Sequence, residues 1–441
     1  MHACQGVTPL RRSLASEDFV KASLANAALR HIDAHLQPPE DDLDHSVEKQ
    51  RGISTLKIPR LADNDYSHES AANRRAFIGE QTGASLGQVS QYSFDPAILP
   101  GNIENFIGVA QVPIGVAGPL RIDGEYAQGD FLVPLATTEG TLVASYSRGM
   151  RLLSESGGVK TTVIEQLMQR TPVFVMDDAR QARELGHWVA AHFAEVKFVA
   201  EATTRVGKLI EIIQFAVGPM RHLRFNYSTG DAAGQNMTAK ATYAACEWIC
   251  QNYPGGARYI LSGNTDTDKK YSRMSLLHTR GTRVVAEAVI KKAALREIMG
   301  VDSGDLDWAQ QVSNAGSFMV GSANNGAHAA NGLTALFIAC GQDAASIAEA
   351  HAGLSYTRLL DNGDYYWSIT LTSLCIGTYG GGTGLATQRD SLEMLGCYGT
   401  GNSNKFAEIC AATVLAGETS VVGAILHGDA VSSHERYGRN R

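Results

Sequence analysis

NNGAHAANGLTALFIACGQDAASIAEAHAG, residues 324–353, is rich in Ala and holds no Pro. Its glycines sit against Leu, Ile, Phe and Ala at helical spacing. Most of it therefore reads as one long helix, apolar nearly all round and so buried. Asp343 is the only formal charge between Asn324 and Ala348. A carboxylate in a buried helix is costly unless hydrogen bonds, a cation or a proton offset it. A structural ion pair is the plain reading of a lone buried Asp; a chemical role needs partners from elsewhere in the chain.

The surrounding chain has 441 residues, 44% hydrophobic and 19% charged, enough for two or three domains with ample core. A net charge of -7 argues against a generic nucleic-acid surface. Seven cysteines, odd in number, scattered and without a CxxC, point to a reducing compartment and no structural zinc. Cys246 and Cys250, four apart on an expected helix, read as core. The N-terminus lacks an apolar stretch of signal-peptide length, and the long helix carries Asp343 with polar Asn, Gln and His. The expectation is a cytoplasmic protein without a membrane span.

Three regions differ in texture. Residues 1–95 are charged, with amphipathic helices between acidic, Pro-containing loops. Residues 96–171 and 263–441 form a large domain around the long helix. Residues 172–262 read strand (PVFVM), helix (DDARQARELGHWVAAHF), two strands (KLIEIIQFAVG, RHLRFNYSTG) turning at Gly218-Pro219, helix, strand (ARYILSG). That order, βαββαβ, is the ferredoxin-like pattern. The expected fold is thus α+β: a large, mainly helical domain with an inserted ferredoxin-like domain.

Several stretches carry candidate chemistry, each with a plainer reading beside it. In LATTEGTLVAS, Thr137 or Thr138 reads as an N-cap that puts Glu139 in the first helical turn, where a capping acid is ordinary. The loop STGDAAGQNM, 228–237, precedes a helix and its small residues can cradle a phosphate, a weak signal alone. No GxGxxG follows a strand, so the Rossmann fingerprint is absent. Asp268, Lys269 and Lys270 sit in a polar loop that would ordinarily be a solvated turn. The run Gly380-Gly381-Gly382 permits either close helix packing or approach of a ligand to the backbone. The basic C-terminal tail, SSHERYGRNR, holds His434, which could close over an anion.

Taken together, LATTEGTLVAS, SGNTDTDKK, ACGQDAA and SSH, with ENFIG and GDAAGQN between them, resemble the 3-hydroxy-3-methylglutaryl-CoA (HMG-CoA) reductase family. Order and spacing agree over roughly residues 95–441, and the DKK loop is similar to the biosynthetic, class I branch. The resemblance implies reduction of an acyl-CoA thioester to an alcohol with two NAD(P)H. It implies a nicotinamide cofactor on the inserted domain, and a homodimer or dimer of dimers that shares active sites, with ENFIG at the interface. Nucleic acid, membrane and metal have no part in it.

By the same resemblance the catalytic residues are Glu139, Lys269, Asp343 and His434. The cofactor set is Lys197, Asp231, Gly234, Gln235, Asn236 and Gly380, with Gln235 where a Met is usual. Lys197 leans the cofactor choice to NADPH over NADH. Substrate contacts fall on Ser145 and Arg148 towards CoA, and on Ser262, Asp268, Lys270 and Asn331 towards the acyl group. The chemistry suits these types. An ammonium, Lys269, stabilises the oxyanion that hydride addition creates. Glu139, its pKa raised by burial and by Asp343, donates a proton to that oxygen. His434 as imidazolium protonates the departing thiolate.

The match departs from the family pattern in the acyl-carboxylate anchor. Val175 stands where an arginine is usual, Val312 or Ser313 where a lysine is usual, and Ile347 replaces an asparagine. Loss of a charge-assisted hydrogen bond to a carboxylate costs about 1.5–3 kcal/mol, unless Lys270 or Arg170 compensates. Three readings follow. The first is reduction of HMG-CoA to mevalonate. The second is the same chemistry on a less acidic acyl chain, on CoA or on a carrier protein. The third is a catalytically silent CoA-ester binder, which the intact Glu139, Lys269, Asp343 and His434 oppose.

Overall fold

The computed structural model describes residues 56–61 and 63–428. Residues 1–55 of the expected helical N-terminal region, and His434, lie outside the described residues. Ten strands are described: β1 (Ile114–Gly124), β2 (Gln128–Ala136), β3 (Val159–Arg170), β4 (Val173–Val175), β5 (Lys208–Val217), β6 (Met220–Ser228), β7 (Arg258–Ile260), β8 (Gly281–Ile290), β9 (Gly353–Leu359) and β10 (Tyr365–Leu374). The chain divides into two compact units, a smaller one of 169–228 and 234–266 and a larger one of 56–168, 229–233 and 267 onward.

The smaller unit has strand order β7-β4-β6-β5, every neighbouring pair antiparallel. β5 and β6 form a hairpin that turns between Val217 and Met220, as the Gly218-Pro219 pair implies. The helices Ala179–Ala191, Phe193–Glu201 and Gln235–Asn252 pack their apolar faces on it. Asp178 caps the first, accepting N–H bonds from Arg180 and Gln181.

In the larger unit helices supply more residues than strands, but they pack on a sheet that was not expected, of order β2-β1-β3-β8-β10-β9. β10 is buried along most of its length because β8 and β9 flank it and helices cover its face. β9 and β10 form a hairpin over Asp361-Asn362-Gly363-Asp364, a turn signal in the sequence that the expected fold did not draw on.

The long helix of the fold is Ser403–His427, not the 324–353 stretch. It packs on β8 and on the helices Leu142–Glu155 and Ala329–Ala339, and is buried without interruption from Phe406 to Ser420. It is long and apolar enough to cross a membrane, yet 78% of its most apolar window is covered by protein. Close approach depends on glycine. A Cβ on Gly149 would lie 1.8 Å from the Ala416 carbonyl oxygen, and one on Gly417 would lie 2.5 Å from the Tyr146 ring.

The 324–353 stretch breaks into pieces. Ala329–Ala339 is its longest helical piece, followed after a break by the turn Ala344–Ser346 and the short helix Ile347–Ala350. Gly341, at φ 68°, ends the first piece in the left-handed conformation, and the Gln342 N–H donates back to the Phe337 carbonyl at 2.9 Å. The apolar run carried through this stop signal in the sequence reading. Asp343 therefore caps the next turn, accepting from the Ala345 N–H at 3.0 Å, with its side chain 45% exposed. The rule about buried carboxylates applies instead to the true central helix. Glu408 accepts the N–H groups of Glu125, Tyr126 and Ala127. Glu418 accepts those of Ala327, His328 and Ala329. Each buried charge thus organises a loop beside the helix.

Candidate active site

Lys269 and Asp343, far apart in sequence, meet as an ion pair at 2.8 Å in the larger unit. Both side chains are nearly half exposed, so the pair faces solvent rather than core. The hydrogen bond to Asp343 holds the Lys269 ammonium above the ordinary lysine range, burial opposing it. Lys269 itself has φ 55°, and Thr267 and Asn264 in the same loop have φ 61° and 65°. Three non-glycine residues in that region of backbone space need support from their surroundings.

The support comes from behind the loop. Asp268 accepts from Arg280 Nη2 at 2.8 Å. Arg280, fully buried, also pairs through Nε with Glu349 Oε2 at 2.8 Å. Glu349, buried as completely, accepts the Lys269 backbone N–H through Oε1 at 3.3 Å. Burial pushes its carboxyl up to about 7, with Arg280 pulling the other way. Neither Glu349 nor Arg280 was singled out from sequence, since a Glu near an Ala-rich helix end and an Arg before a strand look like surface residues.

Glu139 is not in a first helical turn. The helix starts at Leu142 with Thr141 as its cap residue, and Glu139 precedes it on an exposed turn, its N–H donating to Thr137 Oγ1 at 3.0 Å. It is exposed, where burial was expected. It makes no ion pair with Lys269, and among the described residues only Lys269 pairs with Asp343. Its charge is felt instead by Tyr146, whose phenol burial raises most, followed by Glu418. Tyr146 donates to the His328 carbonyl at 2.9 Å and stacks on the His328 ring. Burial pushes that imidazole down to about 4, so it is neutral at neutral pH. Asn331, in the first turn of the helix Ala329–Ala339, lies 3.3 Å from His328 Nδ1. Glu139, Tyr146, His328 and Asn331 thus line one neighbourhood, of which Tyr146 and His328 were not foreseen.

The other expected contacts are spread out. Ser145 and Arg148 converge on Ser420, at 3.0 Å and 3.2 Å from its Oγ. Lys270 Nζ donates to the Asp268 carbonyl at 3.0 Å. Ser262 donates to Asp266 at 3.4 Å, and Asp266 also pairs with Arg170 at 3.4 Å. The Asp231 carboxylate accepts the Ser403 N–H at 3.2 Å, capping the central helix. Burial raises its pKa, but the N–H groups of Gly401, Ser403 and Asn402 outweigh that and hold it low. Gly234, at φ 78°, leads into the helix that carries Gln235 and Asn236. Gly380 is open, whereas Gly382 lies tight against Gly341, beside Asp343. Lys197 sits on the helix Phe193–Glu201, 3.6 Å from Glu201. Val175 is 42% exposed on β4, Val312 is 55% exposed, and Ile347 packs on the main core. Among the described residues no group of three or more His, Cys, Asp or Glu side chains gathers as a metal site.

The family model for hydroxymethylglutaryl-coenzyme A reductase matches residues 70–439. The 3-hydroxy-3-methylglutaryl-coenzyme A reductase of Aeropyrum pernix is 42% identical over 89% of this chain and 98% of its own. That of Methanocaldococcus jannaschii is 41% identical over 83% and 92%. Among solved structures, the class II 3-hydroxy-3-methylglutaryl-CoA reductase of Streptococcus pneumoniae bound to NADPH aligns with a TM-score of 0.61. Its identity is 21%, over 83% of this chain and all of that one, a likeness of fold.

Proposed function

The chain belongs to the hydroxymethylglutaryl-coenzyme A reductase family, and from that membership we propose that it reduces HMG-CoA to mevalonate, consuming two NADPH and two protons and releasing free CoA. The observation that carries the reading is the Lys269–Asp343 pair at 2.8 Å. It sets an ammonium where a thioester oxygen can be received as it takes up negative charge. NADPH supplies hydride in each of the two reduction steps. Lys269 Nζ stabilises the oxyanion of the first addition. Asp343 keeps that ammonium charged and aimed. Glu139 serves as proton donor to the same oxygen from its exposed position before the helix that starts at Leu142. The tail histidine, His434, protonates the thiolate that leaves when the hemithioacetal collapses. The aldehyde then accepts the second hydride at the same ammonium.

The strand order of the smaller unit supports reading it as a ferredoxin-like, cofactor-binding insertion at 172–262 within a substrate domain of 96–171 and 263–441. The helix N-terminus after Gly234 suits the NADPH phosphates. We further read the protein as a cytoplasmic homodimer or dimer of dimers that shares its sites.

A second reading, a less acidic acyl thioester, is favoured by the apolar residues Val175 and Ile347. One assay separates the two: NADPH absorbance followed with HMG-CoA and with uncharged acyl-CoAs. The first reading expects HMG-CoA turnover at ordinary efficiency. Turnover of uncharged acyl-CoAs in preference to HMG-CoA would replace it with the second.

A further inference from the structure

We propose that Glu349 is a positioning residue for Lys269. It fixes the lysine's main-chain nitrogen while Asp343, on the same short helical segment, fixes the side-chain nitrogen. The inference rests on the catalytic reading of Lys269 given above.

The geometry is a clamp at two points. Asp343 caps the turn Ala344–Ser346, which runs directly into the helix Ile347–Ala350. One end of this rigid segment presents Asp343 Oδ2 to Lys269 Nζ at 2.8 Å. The other end presents Glu349 Oε1 to the Lys269 N–H at 3.3 Å. A lysine side chain has four rotatable bonds, so anchoring Nζ alone leaves its position loose. Anchoring the main chain as well fixes where the ammonium stands. The left-handed backbone of Lys269, φ 55°, persists only if its neighbours over-determine it, and Glu349 is the neighbour that holds its N–H.

Arg280 and Asp268 complete the device. Arg280 pairs with Glu349 and with Asp268, the residue just before Lys269, both at 2.8 Å. The loop is therefore tied to the clamp on both sides of the Lys269 peptide. The groups that face Glu349 are Arg280, Asp268, the Lys269 N–H and Cys375. Glu349 itself is fully buried, so it reaches the site only through the groups it holds, the Lys269 N–H among them.

A purely structural ion pair with Arg280 makes the opposite prediction in a paired substitution. Glu349→Gln keeps the reach and an oxygen acceptor for the Lys269 N–H but loses the charge facing Arg280. Glu349→Asp keeps the charge but loses one methylene of reach. Positioning expects Glu349→Gln to retain most of kcat. It expects Glu349→Asp to lose about 100-fold, the scale of a displacement of about 1 Å in a reacting group, with KM for HMG-CoA changed less than about threefold. The reverse order, with Gln the worse variant, overturns the proposal, as does equal kcat in both. Thermal midpoints by circular dichroism check that each variant is folded at the assay temperature. The pKa of the Lys269 ammonium, read by NMR on labelled lysine, gives the same ranking without turnover. It falls somewhat in Glu349→Gln, where the Glu349 charge is lost, and further in Glu349→Asp, where the Asp343 hydrogen bond to the displaced ammonium is lost; a fall in Glu349→Gln as large as in Glu349→Asp overturns the proposal. Absence of HMG-CoA turnover in the unaltered protein would instead count against the functional reading alone.

Discussion

Replacing Lys269 by Met separates catalysis from folding, and the structure sets the size of each effect. The Lys269 and Asp343 side chains are 43% and 45% exposed. An ion pair in that setting is worth about 0.2–1 kcal/mol of stability. Met keeps the aliphatic stem, so the thermal midpoint should fall by no more than about 2–4 °C. Activity answers to a different quantity. Removing one donor to a developing oxyanion costs about 10²–10³ in kcat, or about 2.7–4 kcal/mol, and Lys269 supplies a full charge. The sign of the pH effect follows from the raised pKa of Lys269. A raised lysine contributes stability that is complete below its unfolded value, near 10.5, and lost as pH rises through the folded value. The small stability gap between wild type and Lys269→Met should therefore persist at neutral pH and close only in alkali. Stopped or continuous NADPH oxidation at saturating HMG-CoA measures the first quantity, and circular dichroism melting the second. A variant that retains more than a tenth of wild-type kcat would refute the oxyanion role. A midpoint drop beyond about 8 °C would show that the lysine is structural.

Glu139→Gln should lower kcat by about 10²–10⁴ with an unchanged melting point, because the residue stands exposed on a turn outside the helix; a melt that shifts with it would reveal a packing role. Gly149→Ala should destabilise by about 3 kcal/mol or more, read by calorimetry, since its Cβ would sit 1.8 Å from the Ala416 carbonyl oxygen. The Glu349 carboxyl, raised from 4.5 to about 7, keeps its proton longer folded than unfolded. Its contribution to stability is thus complete below about 4.5 and is lost as pH rises to about 7, on the order of 3 kcal/mol at most. Denaturant titrations across that range should show a flatter slope in Glu349→Gln than in wild type.

What the sequence determined by itself was local or carried by rare combinations. The strands from 172 to 262 and the helices Ala179–Ala191 and Gln235–Asn252 were legible because each has its own period and its own Gly, Pro or Asp punctuation, while the helix Phe193–Glu201 was missed. The set formed by the TTEG, DKK and GQDAA stretches pointed to Lys269 and Asp343, and the ion pair joins them at 2.8 Å. Tertiary structure decided the rest. Two apolar, Ala-rich stretches compete for the centre of the fold. Composition favours neither, but Gly341 ends one at Ala339, while the other runs unbroken to His427. Glu349, Arg280, Glu408 and Glu418 look like ordinary surface charges in a string of letters. Their burial depends on partners far away in the chain, and only the folded chain brings those partners within reach. A buried charge is legible in sequence only when its neutralising groups are local, and here none of them are.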